Sequence, residues 1–186
     1  MARPRAYIED QVRENVMMTF YKYGYAATSL THLESATGLN RRQLYNACGD
    51  KRGLFLRALD DFGATAGAEF LSELEQPDAG VDAIAATFHK LLAAVGSPRG
   101  RLGCLVCNTA REPVADDAEV AKRIQGFFGR IRRAYRRALR NAGEDDADKL
   151  ANHLFGVHVA GCVLARAGER KAVIADLFDA ALATLR

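Results

Sequence analysis

The side chains with the most specific binding chemistry lie close together in one short segment: Arg41, Arg42, Gln43, Tyr45 and Asn46. Arginine pairs bidentately with guanine, glutamine pairs with adenine, and tyrosine and asparagine donate to phosphate oxygens. We therefore predict base contacts from Arg41, Arg42 and Gln43. A lysine at a helix N-terminus shares a phosphate with the free amides there. The predicted phosphate contacts are accordingly Thr28, Ser29, Tyr45, Asn46 and Lys51.

Two short helices joined by a tight turn are needed to present these side chains. Ser29 is a good N-cap, and the apolar spacing that follows it predicts a helix over residues 29–37. Gly38 tolerates the left-handed conformation that ends such a helix. Asn40 then caps a second helix, predicted over residues 40–47. This order is typical of a helix-turn-helix DNA-binding motif, whose second helix lies in the major groove.

Residues 28–55 resemble the DNA-binding domain of the TetR family of bacterial repressors. The matching features, in order, are Thr-Ser before a helix, Thr-Gly in the turn, Leu-Tyr, Gly-Asp-Lys and Leu-Phe. The resemblance implies a helix-turn-helix DNA-binding domain over residues 1–55 and a larger helical domain for effector binding and dimerisation over residues 56–186. One departure is Cys48, where the family usually has an aromatic residue, so we expect the helix that follows to pack less tightly.

Helical periodicity also dominates the rest of the chain, and the alternation of polar and apolar residues that marks a strand is nearly absent. The pattern predicts an all-α fold of about nine helices. The fourth helix would be shared by both domains, so that its tilt would move the DNA-binding domain. The predicted helices cover residues 6–23, 29–37, 40–47, 51–75, 79–95, 102–111, 116–141, 145–167 and 170–185.

Composition limits the class of protein. With 186 residues, 49% of them hydrophobic and 26% charged, the chain is an ordinary globular protein that can bury a sizeable core. Its net charge of +3 is too small to indicate a nucleic-acid partner, so that prediction rests on local side chains. Charges begin at Arg3, and the apolar segment that a secretory signal requires does not follow them. The longest apolar run, residues 157–165, is too short to cross a bilayer. We expect a cytoplasmic bacterial protein that needs no cofactor or metal.

Two basic stretches lie outside the helix-turn-helix motif. Residues 122–140 carry a run of lysines and arginines with no acidic residue between them. Because these fall opposite the apolar stripe of their helix, we interpret them as a solvated face rather than a second nucleic-acid patch. Arg3 and Arg5 make the N-terminus basic, either as an arm that enters a minor groove or as a solvated terminus.

Cys104 and Cys107 are the residues whose spacing suggests covalent chemistry. They are three residues apart, hence on one face of the helix predicted over residues 102–111, and a helix N-terminus lowers the pKa of a thiol. The simplest interpretation is two buried small side chains, because free cysteine packs well in cores. The alternative is a pair that responds to oxidants or electrophiles. A disulfide between the two cysteines would distort the helix, because β-carbons at this spacing lie about 5–6 Å apart, farther than a disulfide allows. A zinc site is disfavoured because a second cysteine pair at ligand spacing is missing.

The resemblance implies an effector cavity in the core of the larger domain. Residues 103–110 are similar to a segment beside that cavity in a subgroup of TetR-like regulators. Histidines on the apolar helices could hydrogen-bond an effector, although an ordinary core or surface position is the simpler interpretation of each. The predicted pocket residues are Phe88, Leu92, Cys104, Cys107, Asn108, Phe127, Phe128, Ile131, His153 and Val157.

The last two predicted helices carry apolar side chains at helical spacing, together with glycines that allow another helix to approach closely. In TetR-like proteins this helix pair forms a symmetric four-helix interface with a second subunit. Some of these residues must instead pack within one chain. The predicted interface residues are Leu154, Gly161, Leu164, Ile174, Leu177, Phe178 and Ala181.

These patterns together predict a homodimeric one-component transcriptional regulator, a repressor that binds a palindromic operator in double-stranded DNA and is released by a small-molecule effector. A thiol-responsive regulator that uses Cys104 and Cys107 is the alternative. Two other classes stay open. One is a small thiol-dependent redox enzyme, which the lack of alternating strands and helices disfavours. The other is a helical adaptor that no longer reads DNA. We expect no catalytic residue.

Overall fold

The computed structural model of the protein describes residues 5–185, and of these the side chains of residues 9–46 and 48–185. The side chains of the predicted N-terminal arm therefore lie outside the described residues. Within the described range the chain forms nine α-helices and no strand, which confirms the all-α prediction. The helices are α1 (Arg5–Ala27), α2 (Leu30–Thr37), α3 (Arg41–Cys48), α4 (Lys51–Ala66), α5 (Val81–Ala94), α6 (Leu105–Thr109), α7 (Ala118–Asn141), α8 (Ala147–Ala167) and α9 (Lys171–Leu182).

The largest differences from the predicted helix lengths are at α4 and α6. The sequence predicts one helix over residues 51–75, whereas α4 ends earlier and a π-helical turn, Gly67–Leu71, continues it. The helix predicted over residues 102–111 is reduced to the five residues of α6. Gly103 precedes α6 with a φ of 75°, and Pro113 begins a 3₁₀ turn after it. A positive φ and a proline both interrupt helical hydrogen bonding, so these residues confine α6.

The helix-turn-helix segment, residues 29–48, is fixed by the caps of its two helices. The side chain of Ser29 accepts a hydrogen bond of 3.1 Å from an amide in the first turn of α2. Asn40 accepts one of 3.0 Å from the amide of Gln43. Gly38 ends α2 in the left-handed conformation, with a φ of 71°. The caps predicted from the sequence are therefore confirmed.

Two apolar cores hold the helices together. The first joins α1 to α4 with α6 and the start of α7, and contains the fully buried rings of Phe20 and Phe55. The second lies among α5, α7, α8 and α9 and contains Phe88 and Tyr135. Because the first core continues past residue 55, the two parts of the chain predicted as domains share a core as well as α4.

A kink at Gly24 divides α1 and connects it to the larger helical part. Gly24 has a φ of 77° and a ψ of 173°, so helical hydrogen bonding is interrupted there. The amides of Tyr25 and Ala26 donate instead to the carboxylate of Glu112, at 3.2 and 3.0 Å. The hydroxyl of Thr28 donates to the carbonyl of Gly24 at 2.6 Å. A residue from the segment between α6 and α7 therefore caps the end of α1.

We expect Gly24→Ala to destabilise the fold. The positive φ costs an alanine about 1–2 kcal/mol, and a β-carbon at this position would lie 2.8 Å from the Glu112 carboxylate. Gly126→Ala is the matched control, because Gly126 is an exposed residue of α7 with open space around an added methyl group. That control should stabilise the protein by about 0.5–1 kcal/mol. Urea unfolding measures the free energy of unfolding of both variants. Equal values for Gly24→Ala and Gly126→Ala would contradict the constraint at Gly24.

Candidate nucleic-acid interface and ligand cavity

The first turn of α3 presents the residues predicted to contact bases. Arg41, Arg42 and Gln43 are exposed, whereas Leu44 behind them is only 3% exposed and packs in the first core. Neither guanidinium is used in an ion pair within the described residues. One buried leucine therefore orients α3 so that its basic, polar face points to solvent.

Two of these side chains have local partners. Gln43 accepts a hydrogen bond of 3.0 Å from the amide of Asn40 through Oε1, which completes a reciprocal capping box. The guanidinium of Arg41 lies 5.5 Å from the ring centroid of Tyr45, which is half-buried. Contact between Gln43 and adenine must therefore use its free amide group or break the box. The spacing of Asn40 and Gln43 is a sequence signal for this box that the prediction of a base contact overlooked.

The predicted phosphate contacts divide into accessible and buried side chains. Ser29 and Asn46 are exposed, and the ammonium of Lys51 lies 4.6 Å from the ring centroid of Tyr25 at the start of α4. Thr28 is only 1% exposed, and its hydroxyl is used within the α1 kink. The side chain of Thr28 is therefore not placed to reach a phosphate, because it completes the end of α1 instead.

Polar contacts connect α1 and α4 to the larger helical part. The hydroxyl of Tyr21 donates to the carbonyl of Gly103 at 2.5 Å. Arg52 donates twice to Asp117 at the start of α7, at 2.7 and 2.8 Å. These hydrogen bonds from Arg52 lower the pKa of Asp117 to about 2. With the contacts of Glu112, they join the helix-turn-helix side of the molecule to both ends of the segment that contains α6.

A cavity lies among α1, α4, α5, α7 and α8. It contains about 840 Å³ of space between protein atoms, part of it open to solvent. Most of its wall is apolar, which is the usual make-up of a small-molecule site. The apolar wall includes Phe62, Phe70, Leu91, Val95, Phe127, Ile131 and Phe178, and the polar groups come from Tyr21, Glu69, Ser97, Arg99, Cys104, His158 and Cys162.

Three of the predicted pocket residues line this cavity: Cys104, Phe127 and Ile131. His153 does not, since it is exposed on α8. The two histidines lie on different sides of α8, so that His153 faces solvent and His158 faces the buried side. His158 is therefore the histidine of α8 in the cavity wall.

The other predicted pocket residues pack beside the cavity rather than in its wall. The amide of Asn108 donates to the carbonyl of Leu102 at 2.9 Å and so fixes the chain before α6. Phe128 packs against Phe155, with ring centroids 5.3 Å apart. Residue type alone did not separate core from cavity wall, because both are apolar. The predicted pocket residues that are buried in the cores or pack against them are Phe88, Leu92, Cys107 and Val157.

Cys162 on α8 joins Cys104 and Cys107, so that three thiols lie together beside the cavity. The hydrogen bonds that Cys107 and Cys162 donate lower the pKa of the Cys104 thiol, and the bond to Cys104 raises the pKa of each donor. Cys104 precedes α6 in extended conformation, with a φ of −128°, so the prediction that both cysteines share one helical face is corrected. Sequence reasoning missed Cys162 because it lies far from the pair along the chain.

His158 is a buried polar group next to these thiols. Burial lowers its pKa from 6.5 to about 4, so the imidazole is neutral at neutral pH. Its Nδ1 atom lies 3.1 Å from the hydroxyl of Tyr135. A neutral imidazole has one donor and one acceptor, and it can therefore orient a polar group of a ligand in the largely apolar wall.

The predicted dimer residues lie mainly on the inner faces of α8 and α9. Leu164 and Leu177 are half-exposed, whereas the others pack within the chain. Gly161 shows the reason, because its missing side chain makes room for the ring of Phe178 in the second core. The residues packed inward are Leu154, Gly161, Ile174, Phe178 and Ala181.

A different set of residues forms the outward face of α8. Gly156, Ala160, Val163 and Ala167 are spaced by three or four residues and therefore lie on one side of the helix. Val163 is 37% exposed, which is unusual for a large apolar side chain in this protein. We call these four residues the outer stripe of α8.

The basic run on α7 is partly used in ion pairs. Arg130 donates to both carboxylate oxygens of Glu75, at 2.5 and 2.6 Å, and Arg140 donates to Asp148 at 3.1 Å. Arg133 is exposed. The interpretation as a solvated face therefore applies to residues such as Arg133, while Arg130 fixes α7 to the segment that follows α4.

Residues 5–185 offer neither a membrane-spanning helix nor a metal-binding cluster. In that range, no helix has the length and apolar character that a membrane crossing requires. The same residues contain no group of three or more His, Cys, Asp or Glu side chains that could hold a metal ion.

Known proteins with similar sequences are regulators of transcription. No protein-family model matches the sequence. The uncharacterised HTH-type transcriptional regulator YezE of Bacillus subtilis is 27% identical over 100% of both chains. The HTH-type transcriptional repressor ComR of Escherichia coli is 27% identical over 66% of this chain and 59% of its own length.

Solved structures share the architecture of the chain. The TetR-family transcriptional regulator CifR, in a cysteine-substituted form complexed with 26-bp double-strand operator DNA, has a TM-score of 0.85. It is 25% identical, over 99% of this chain and 100% of that one. A TetR transcriptional regulator from Chloroflexus aurantiacus has a TM-score of 0.82 at 24% identity, over 96% and 93% of the two chains. The predicted fold and the family resemblance are confirmed.

We expect the free energy of unfolding to fall between pH 6.5 and pH 4, in part because of His158. The unfolded chain takes up this proton near pH 6.5, whereas the buried imidazole does so only near pH 4. In that interval the unfolded state binds more protons, so acid favours unfolding. His158→Gln should make the pH dependence shallower, while His153→Gln, at an exposed position of the same helix, is the control. Urea unfolding at several pH values measures the free energy of unfolding of each protein. If its slope against pH were unchanged in His158→Gln, the expectation would be contradicted.

Proposed function

We propose that this chain, a transcriptional regulator of the TetR fold, is a homodimeric repressor that binds a palindromic operator and leaves it when a small molecule binds. The observation that carries the proposal is the first turn of α3, where Arg41 and Arg42 are exposed on a helix anchored by Leu44. CifR supports it, because that regulator is complexed with operator DNA. The relative ComR, an HTH-type transcriptional repressor, supports the assignment as a repressor.

The proposed DNA contacts are of two kinds. Arg41 and Arg42 reach base edges in the major groove, and Gln43 adds a contact through its amide group. Phosphate contacts fix the position of α3 on the duplex without reading sequence. Among these, Lys51 lies in the first turn of α4, where Asp50 already accepts from the amide of Gly53, so the Lys51 ammonium makes the contact with the phosphate. The remaining phosphate contacts come from Ser29, Tyr45 and Asn46.

A second copy of the chain supplies the second half-site. The outer stripe of α8 is apolar and made of small side chains, so an equivalent helix can approach it closely. Leu164 of α8 and Leu177 of α9, two of the predicted interface residues, are half-exposed. A two-fold axis through this face pairs each patch with itself. The two α3 helices would then enter successive major grooves, about 34–36 Å apart.

The cavity is proposed to bind the effector, and contacts of α1 carry its effect. Tyr21 belongs to the cavity wall and donates to Gly103, while Glu112 caps the end of α1. A ligand that moves the segment from Gly103 to Glu112 must therefore alter the contacts that hold α1. Such a ligand acts only if its affinity differs between the DNA-binding state and the released state.

The three thiols favour a second candidate, a regulator that responds to thiol oxidation or alkylation. Cys104 and Cys162 both belong to the wall of the cavity proposed for the effector. A thiol is more reactive as the thiolate, and the hydrogen bonds within the cluster favour that form at Cys104. In this version the effector modifies the site covalently, and the DNA-binding mechanism stays the same.

Selection of a random duplex library on the purified, reduced protein tests the proposal. A palindrome with half-sites about one helical turn apart, or a multiple of it, is the expected result. Salt-sensitive binding without sequence preference would refute the proposal and favour the helical adaptor. Turnover of a small disulfide by the same protein would instead favour the thiol-dependent enzyme.

We expect Arg42→Ala to weaken binding to the selected operator by about 1–3 kcal/mol and to relax specificity at one base pair. Lys51→Ala should weaken binding to all sequences and reduce the slope of affinity against salt by about one. Arg133→Ala is the matched control, since Arg133 is an exposed arginine of α7 outside the proposed interface. Fluorescence anisotropy with operator and random duplexes measures these effects. Equal losses on both duplexes for Arg42→Ala would refute its base contact.

We expect Val163→Arg to separate the dimer. The substitution places two charges at the centre of a self-complementary apolar face, but because Val163 is already 37% exposed, the protomer should stay folded. Gln125→Arg, at an exposed position of α7, is the matched control. Sedimentation velocity should show a monomer for Val163→Arg and a dimer for the control. A dimeric Val163→Arg protein would exclude this face as the interface.

A further inference from the structure

The start of α6 and the middle of α8 meet without a side chain between them. Gly103 provides the space: a β-carbon built on it would lie 2.8 Å from the carbonyl oxygen of Cys162. Cys104, the next residue, is 7% exposed and belongs to the same cavity wall as Cys162. The backbone immediately before Cys104 therefore packs directly against the backbone of α8 at Cys162.

The conformation of Cys104 gives its thiol freedom to reach α8. Its backbone is extended, with φ −128° and ψ 124°, so Cys104 lies outside the hydrogen-bonded turn of α6. Cys107 lies inside that helix and is buried in the first core. Cys107 and Cys162 both lower the pKa of the Cys104 thiol, so their side chains lie close to it. The cluster is thus asymmetric, with Cys104 between a residue fixed in α6 and a residue of α8.

We propose that Cys104 and Cys162 form a redox pair, which an organic hydroperoxide in the cavity oxidises to a disulfide that joins the start of α6 to α8. Cys107 is the hydrogen-bond donor that supports the reacting thiolate of Cys104. The close backbone approach at Gly103 and the cavity carry this assignment, since both partners border the space through which an oxidant arrives. The regulatory consequence rests on the proposed function, whereas the disulfide itself does not.

The reaction balances with one hydroperoxide per disulfide. The thiolate sulfur of Cys104 attacks the terminal peroxide oxygen, the O–O bond breaks, and the alkoxide leaves and is protonated to an alcohol. This step forms a sulfenic acid on Cys104. The sulfur of Cys162 then attacks the sulfenic sulfur, the S–O bond breaks, and water is released with the thiol proton of Cys162. The two cysteines lose two electrons, which reduce the hydroperoxide to alcohol and water.

The apolar wall selects a hydroperoxide with a hydrocarbon substituent. Phe62, Phe127 and Ile131 belong to the cavity wall with Cys104, so an aromatic or alkyl group can be buried while the peroxide faces the thiol. Hydrogen peroxide lacks such a group and gains nothing from this wall. Burial of one apolar group of this size favours the organic reagent by about tenfold or more in rate at equal concentration.

The disulfide would act on a segment that holds α1. Gly103 accepts the hydrogen bond from the hydroxyl of Tyr21, and it immediately precedes Cys104. Pulling the sulfur of Cys104 toward α8 shifts this carbonyl and weakens its contact with α1. If α1 positions α3 on DNA as proposed, the oxidised protein binds the operator less tightly than the reduced protein.

Peptide mapping of a Cys48→Ser protein tests the pair. The sequence has four cysteines, so this substitution leaves only the cluster, and Cys48 itself lies on α3, outside it. The reduced protein is treated with cumene hydroperoxide, blocked with N-ethylmaleimide and digested without reductant. The expected product joins the peptide of Cys104 to that of Cys162, with fragmentation assigning the bond to Cys104. A bond between Cys104 and Cys107, or oxidation without any bond to Cys162, would overturn the proposal.

Two further variants in the same background assign the roles. Cys107→Ala should still form the bond between Cys104 and Cys162, but more slowly, because the supporting donor is removed. Cys162→Ser should leave Cys104 as a sulfenic acid that dimedone traps. Circular dichroism reports whether each variant folds; if Cys162→Ser does not, the map of the three-thiol protein alone decides. Equal oxidation rates with cumene hydroperoxide and hydrogen peroxide would refute the selectivity of the cavity.

Operator binding separates a failure of this proposal from a failure of the proposed function. The oxidised Cys48→Ser protein should bind the selected operator at least about tenfold more weakly, a coupling of ordinary size, and dithiothreitol should restore the affinity. Unchanged affinity with a complete disulfide would refute the regulatory consequence. Absence of any operator for the reduced protein would refute the proposed function, while the peptide map would still decide the redox pair.

Discussion

The pairing of one carboxylate with two backbone amides sets the geometry of the molecule. Gly24 interrupts α1, and the amides of Tyr25 and Ala26 then lack acceptors within the helix. Glu112 supplies both acceptors from the segment after α6. The end of α1 therefore has its position only when that segment is in place, and α2 and α3, which follow α1 directly, inherit this dependence.

The short helix α6 and the residues beside it consequently connect the cavity to α1. Contacts to α1 leave from both of its sides, through Gly103 before it and Glu112 after it. Cys104 at its start borders the cavity and meets Cys162 of α8. A change at the cavity and a change at α1 are thus linked by a few polar contacts across a shared apolar core. Spatial connection of this kind supports the proposed coupling, and its size depends on how differently a ligand binds the two states.

The helix α8 serves different purposes on its two sides. The inner side carries Leu154, His158 and Gly161, which complete the second core and the cavity wall. The outer stripe, around Val163, is left for another helix. An interface built from the outer stripe does not compete with the protomer core for the same side chains. A shift of the inner side by a ligand or a disulfide would nevertheless move the outer side, since one helix carries both.

Features that depend on neighbours within one or two helical turns follow from the sequence alone. The helix-turn-helix segment, its caps at Ser29 and Asn40, and the polar face of α3 follow from local spacing, and the structure has them as predicted. Features that depend on helices far apart in the chain appear only in the folded protein. The fold placed Cys162 beside the other thiols, chose His158 over His153 for the cavity, and brought Glu112 to the end of α1. The physical reason is that apolar periodicity shows which face of a helix is buried, but not whether that face meets a core, a cavity or a second chain.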